Sequence, residues 1–259
     1  MTEPIDPLSD TKINTPPPFK FNLAAIPLRY SGDFAETITD PVLKQRYLDA
    51  FGADFAYRRI LQVPSLRASY SEVPPGKKVP PHRHGANQFT FVLEGSLRYG
   101  ARTANAGMGQ FNPQRFYAWT AGKEGAKFVE VHDSGVQMTI FPSDAIPERR
   151  DAEDPSVPTN PFIFDLRADA LVNEHSSIRQ IVCTRTFSAL HCILAPDEAL
   201  SETVPSRENS FCFILKGNLR FRDDIAGPGM GYYWPGVADA ISGAEGADFL
   251  MFSSVVRQE

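Results

Sequence analysis

The chain has 259 residues, room for one large domain or two of ordinary size, and its 42% hydrophobic content and 19 phenylalanines suffice for a packed core. A net charge of -5 with no basic stripe argues against nucleic acid as a partner. No run reaches the roughly 18 apolar residues of a membrane span, and the acidic start Met1-Thr2-Glu3-Pro4-Ile5-Asp6 lacks the apolar stretch of a secretory signal, so a cytoplasmic location without membrane contact is expected.

Residues 1–17 are polar and proline-rich and are expected to lack fixed structure. A helix is predicted over about 40–51. Asp40 is a good N-cap, Pro41 suits the first helical position and Gly52 can end it. Short strands divided by Gly, Pro, Asn and Asp turns follow: Arg58 to Gln62, Arg67 to Val73, Gln88 to Tyr99, Gly109 to Asn112 and Lys127 to His132. Residues 142–160 read as an exposed linker. Strands resume at Ile178 to Thr186, Ala189 to Ala195, Phe211 to Arg222 and Phe249 to Val256.

The run Pro80-Pro81-His82-Arg83-His84-Gly85-Ala86-Asn87-Gln88 carries the chemistry. Side chains on a strand alternate, so His82 and His84 share a side. Gly-Ala-Asn reads as a turn, and a strand starting at Gln88 would swing its amide back toward the two imidazoles. Paired imidazoles suit transition metals, which implies a mononuclear metal site.

The spacing Gly76, His82-x-His84, position 88 and Gly95 resembles the first motif of the cupin superfamily, with Gln88 where the family normally has Glu. Gly107 and Pro113 match the second cupin motif, while Arg115 replaces its usual Gly and Ala118 its usual histidine ligand. The unit occurs twice. Phe89 to Tyr99 aligns with Phe211 to Phe221, and Gly107-Met108-Gly109 and Pro113 with Gly229-Met230-Gly231 and Pro235. Gly125-Ala126-Lys127-Phe128 aligns with Gly246-Ala247-Asp248-Phe249, and Pro18 to Leu23 echoes Pro161 to Leu166. The resemblance therefore implies an all-β bicupin: two tandem jelly-roll β-barrels with a short helical insertion near the N-terminus. The expected divisions are 1–17, a first cupin barrel over 18–142, a linker at 143–159 and a second barrel over 160–259.

The second unit has Val204, Pro205 and Ser206 in place of the His-Arg-His and Ser210 in place of Gln88, so metal is expected in the first unit only. The missing motif histidine needs a replacement, and His132 is the best candidate. In the jelly-roll order of cupins the strand ending at His132 pairs antiparallel with the strand starting at Gln88. The expected ligands are thus His82, His84, Gln88 and His132. Gln88 is a ligand in one reading and a hydrogen-bond partner of a metal-bound water in the other; His132 is a ligand in one reading and a surface histidine in the other. Glu130 shares the face of His132 by period two and is the acid/base candidate if it points inward. Arg98, Tyr117 and Trp119 are further candidates for lining the pocket. His191 and His175 read as core or surface residues, and Cys183, Cys192 and Cys212 as buried free thiols.

One divalent metal is expected, with Fe(II) favoured and Zn, Ni or Mn as alternatives. Neutral ligands leave its charge uncompensated, which favours a small anionic substrate. Cupin dioxygenases use histidine-ligated Fe(II), and the His-Arg-His is similar to that of bicupin gentisate- and salicylate-type dioxygenases. Cupins with Gln at the Glu position include sugar-acid tautomerases and polyketide cyclases, in which the metal is a Lewis acid. The expected function is a dioxygenase-like reaction on a small oxygenated acid, phenol or diketone. Lewis-acid isomerisation and non-catalytic ligand binding are the alternatives, and a homodimer is one arrangement open to the chain.

Overall fold

The computed structural model of the chain describes residues 16–134, 139–140, 156–167, 176–200, 209–236 and 240–254. In chain order the elements are β1 (Phe19–Asn22), a single 3-10 turn, β2 (Arg29–Tyr30), α1 (Ser31–Ala35), α2 (Pro41–Phe51), β3 (Ala56–Val63), β4 (Leu66–Val73), β5 (Lys78–His84), β6 (Gln88–Tyr99), β7 (Arg102–Asn105), β8 (Met108–Asn112), β9 (Tyr117–His132) and β10 (Thr139–Ile140). The second half contributes β11 (Phe162–Asp165), β12 (Ser177–Cys183), β13 (Phe187–Leu194), β14 (Asn209–Phe221), β15 (Asp224–Ala226), β16 (Met230–Pro235) and β17 (Ile241–Ser254).

Every ladder is antiparallel among the described residues. One sheet runs β11-β8-β6-β9-β4-β3-β2, with β5, β7 and β10 branching from it; the other runs β1-β16-β14-β17-β13-β12, with β15 beside β14. The two orders are equivalent under the repeat: β6 and β9 are the central pair of one, β14 and β17 of the other. The chain is an all-β protein of jelly-roll type.

The repeated opening strands are exchanged. β1 belongs to the first half of the chain but pairs with β16, and β11 follows the linker but pairs with β8. Phe19 stands opposite Tyr233, and Phe162 stands opposite Phe111, the residue aligned with Tyr233. In the exchanged positions Phe21 stacks on Phe211 at 5.3 Å between ring centres and Phe164 on Phe89 at 4.7 Å.

Alternation divides the first unit's strands into two faces. One face (Phe89, Phe91, Phe111, Val129, Val131) packs in one cluster with Phe211, Phe213, Leu250 and Phe252 of the second unit, and Phe89 meets Phe252 at 4.8 Å between ring centres. Burying a phenylalanine is worth about 1.5–3 kcal/mol, so this shared core binds the halves together. The opposite face turns inward and is apolar at one end, around Val92, Trp119 and Phe128. At the other end it is polar, and that end holds the site.

Asp40 caps α2 by accepting from the amides of Val42 and Leu43 at 2.8 and 3.2 Å, Pro41 opens the helix and Gly52 closes it at φ 69°. Phe51 at its end sits edge-on to His82, 6.1 Å between ring centres, so the insertion covers one side of the histidine pair. β9 starts at Tyr117, ten residues before the predicted Lys127. The polar run Gly122-Lys123-Glu124-Gly125 reads as a turn, but the strand continues through it. Ala121 and Thr120 still pair with Leu97 and Arg98 after a register shift at Gly95/Leu97. Cys183 corrects another expectation: it is exposed, whereas Cys192 and Cys212 are buried. β12 is an edge strand, and there Val182 takes the inward position. The predicted N-terminal tail to residue 15 and linker residues 141–155 lie outside the described residues.

Candidate metal centre

Three ladders assemble the polar end. In β5 the alternation puts His82 and His84 on one side, while Arg83 turns the other way over the Phe116 ring, 5.2 Å from its centre. The β5–β9 register pairs His82 with Tyr117. The β6–β9 register pairs Gln88 with His132, and β4–β9 places Arg67 on the other side of His132. Paired residues share a face, so Gln88, His132 and Arg67 form one row across three strands, with Thr90, Glu130 and Ser69 in the next row. His82, His84, Gln88 and His132 are 1%, 5%, 2% and 0% exposed.

The imidazole rings stand close. Ring centres are 5.1 Å apart for His82 and His84 and 5.0 Å for His84 and His132, nearly perpendicular in both pairs. Burial lowers all three, His82 to about 4, His84 well below its ordinary value and His132 to about 3; the nearby Arg67 guanidinium reinforces the effect on His84 and His132. All are therefore neutral at pH 7, the form that ligates metals. The His82 Nδ1–H donates to the Pro80 carbonyl at 2.8 Å, which leaves Nε2 as its free lone pair. Both ring nitrogens of His132 are buried without a hydrogen-bond partner. An unsatisfied buried polar group costs about 1–3 kcal/mol, so an apolar residue would suit this position better unless something binds there.

Among the described residues no three His, Cys, Asp or Glu side chains stand as a ready-made ion site. The donor set nevertheless fits one. Imidazoles that share an ion at about 2.0–2.1 Å from each nitrogen have ring centres roughly 5 Å apart, and His132, with both nitrogens orphaned, stands at that distance from His84. What closes the set is Tyr117. Its hydroxyl donates to Gln88 Oε1 and lies 3.2 Å from His84 Nε2, and its ring centre is 4.5 Å from that of His82. The other end of the Gln88 amide donates to Glu130 Oε1 at 2.6 Å. Gln88 is thus held at both ends, and the Tyr117 hydroxyl occupies one of the two lone pairs of its oxygen.

Glu130 turns toward Gln88 and so shares the inward side. Burial pushes its carboxyl up to about 7, against the pull of Arg67 and of the Gln88 hydrogen bond. A carboxyl poised there can take or give a proton at neutral pH. Arg67, only 8% exposed, is the residue the sequence reading missed. A charged side chain on a strand whose neighbours face inward was the available signal. Of the other pocket candidates, Trp119 packs in the apolar end on Phe128 at 5.9 Å and Arg98 is exposed.

The aligned row of the second unit is Ser210 and Ser253, whose hydroxyls are 3.3 Å apart. Cys192, Cys212 and Met251 fill the interior beside it. His191 is engaged with Asp248 at 2.8 Å. His175, Val204, Pro205 and Ser206 lie outside the described residues. A cavity of about 510 Å³ adjoins the first unit's site, lined by Tyr99, Arg102, Gln110, Tyr117, Phe162 and Ile163 among others. Among the described residues no helix is long and apolar enough to cross a membrane.

No family model matches the sequence, and no curated protein matches it. Solved structures do. A proposed dioxygenase from Nostoc punctiforme superposes with a TM-score of 0.66 at 14% identity, over 93% of this chain and 88% of that one. Salicylate 1,2-dioxygenase from Pseudaminobacter salicylatoxidans gives 0.63 at 13% identity, over 97% and 86%. A variant of Bacillus subtilis oxalate decarboxylase gives 0.55 at 15%, over 96% and 80%. The chain has the cupin fold. In this chain the polar interior lies in the first unit alone among the described residues, at the Gln88 end of β6 and the His132 end of β9.

Proposed function

We propose that the chain is a metal-dependent cupin enzyme acting on a small oxygenated organic acid, phenol or diketone, with His82, His84 and His132 as metal-holding residues and Gln88 beside them as fourth ligand or water partner. The observation that carries this is the convergence of three buried neutral imidazoles, one with both nitrogens unpartnered. Nothing in a purely structural interior requires that arrangement. A bound divalent metal, Fe(II) by preference, would supply Lewis acidity and, if redox-active, access to dioxygen. The protein's share is to exclude water, orient the substrate and manage a proton. Arg67 adds positive charge beside His132, which favours an anion at the cluster. Glu130, held near neutral ionisation and tied to Gln88, would hold or move the substrate's proton. Salicylate and oxalate, named with the similar structures, are small acids of this kind.

A dioxygenase-like reaction is the first reading. Lewis-acid isomerisation is the second, and Glu130 favours it, since enolisation needs a base at the reacting carbon. The deciding experiment is metal analysis of the purified protein followed by an oxygen-consumption screen against catechols, gentisate, salicylates and diketones. Oxygen uptake dependent on His84 supports the dioxygenase. Stoichiometric metal without uptake, but with solvent-hydrogen exchange into a β-diketone, supports the isomerase. No bound metal overturns both.

A further inference from the structure

The Tyr117 hydroxyl lies between the two groups that a metal would need. It carries one proton, which goes to Gln88 Oε1, because an amide oxygen cannot donate. Toward His84 the same oxygen can then only accept, so His84 Nε2, 3.2 Å away, carries a proton in this arrangement. A protonated nitrogen cannot ligate. One side chain thus ties up a nitrogen of His84 and one lone pair of the Gln88 oxygen together and stands where an ion would bridge them, while its ring covers His82 at 4.5 Å between centres. On its far side Tyr117 borders the cavity of about 510 Å³, where Gln110 Oε1 is buried without a partner. The ring therefore has space to move into, beside a residue with an unpaired acceptor.

We propose that Tyr117 is a displaceable plug: an arriving divalent ion expels its hydroxyl toward the Gln110 cavity and frees His84 Nε2 and Gln88 Oε1 in one movement. On release His84 changes tautomer, its one ring proton leaving Nε2 as a proton is taken up at Nδ1, so the imidazole stays neutral and the lone pair at Nε2 becomes available. The expelled phenol would then stand in the wall of the chamber from which a substrate approaches. This inference rests on the metal reading above and adds that the site has a closed and an open form.

The test titrates the metal-free full-length protein with Zn2+ by calorimetry, using wild type, Tyr117→Phe and His84→Ala. Tyr117→Phe removes the hydroxyl and keeps the ring, and it should bind Zn2+ about tenfold more tightly, the worth of one to two net hydrogen bonds. Wild type should show a tyrosine ultraviolet difference spectrum on binding that Tyr117→Phe lacks. Peptide mapping after tetranitromethane treatment of wild type should show Tyr117 nitrated faster with Zn2+ than without. That measurement needs no variant to fold. Equal Zn2+ affinity in wild type and Tyr117→Phe, with no change at Tyr117 in nitration, overturns the plug while leaving the metal site standing. Zn2+ binding that is absent from every form, or unaffected by His84→Ala, overturns the metal reading and the plug with it.

Discussion

Gln88 and His132 face each other across the β6–β9 ladder, at the start of one strand and the end of the other. The same row continues to Arg67, and the next one holds Glu130, whose carboxylate accepts from the Gln88 amide. One register therefore sets every polar group of the site except those of the β5 histidines and Tyr117. The aligned ladder of the second unit, Ser210 to Ser253, uses the same register with small hydroxyls. The backbone is duplicated, and the chemistry is written in side chains on one copy.

The first prediction follows from that asymmetry. Purified protein should hold one divalent ion per chain, measured by elemental analysis. His82→Ala with His84→Ala should abolish it, and His132→Ala should lower occupancy severely. In the absence of metal, His132→Phe or His132→Leu should raise the melting temperature, because either replaces two unsatisfied buried nitrogens with apolar atoms. A lower melting temperature in both, together with full metal occupancy, would assign His132 to packing instead.

Gln88→Glu is the second. Here the donor NH2 that reaches Glu130 at 2.6 Å becomes a carboxylate oxygen. Two carboxylates at that distance cannot both ionise, so the variant loses stability at pH 7, on the order of 1–3 kcal/mol by denaturant titration. Metal should be retained, since a carboxylate is at least as good a ligand as an amide. Affinity for an anionic ligand such as salicylate should fall as the pH rises above 7 and the proton shared by the two carboxyls is lost, because the second negative charge then opposes it.

The third concerns the bend shared by the two units. Gly95 and Gly217 adopt φ of 70° and 66°, and an added Cβ would collide with the carbonyl of Gly125 or Gly246 in the neighbouring strand. Gly76 has φ 69° but open space around it. Gly76→Ala should therefore cost about 1–2 kcal/mol for the left-handed backbone alone. Gly95→Ala and Gly217→Ala should each cost roughly 1–3 kcal/mol more for the forced shift. Equal losses at all three positions, measured by thermal or denaturant unfolding, would mean that the strands yield freely at the bend.

Features encoded within a few residues were readable from the chain. The Asp40, Pro41 and Gly52 signals mark α2 at its observed ends, and the Gly85-Ala86-Asn87 turn starts β6 at Gln88. Once the cupin strand order is assumed, His132 beside Gln88 follows. What could not be read depends on contacts distant in sequence. The echo between Phe19 and Phe162 shows that β1 and β11 are equivalent, but not that each joins the other half's sheet, since the rings they pack on, Phe211 and Phe89, are equivalent as well. Tyr117 was legible as a candidate for lining the pocket, but its place opposite His82 was not, because the strand that carries it begins ten residues before the predicted Lys127. Arg67 escaped because charge reads as surface, and only its position in the His132 row takes it inside.

The last prediction separates the three thiols. Cys192 and Cys212 are buried in the second unit's interior, and burial raises both thiols, Cys212 to about 12. The thiolate is the nucleophile, so a raised value keeps each protonated and unreactive across the working range. Cys183 is exposed on the edge strand β12. Native protein treated with iodoacetamide at pH 8 should therefore be alkylated once, at Cys183, with all three modified only after unfolding. Raising the pH from 7 to 9 should leave Cys192 and Cys212 unmodified on the same timescale, because burial keeps both thiols protonated. Cys183→Ser should abolish labelling of the folded chain. Native alkylation at Cys192 or Cys212, read by peptide mass, would show that the interior of the second unit opens on the timescale of the experiment, and the closed apolar packing described for it would be wrong.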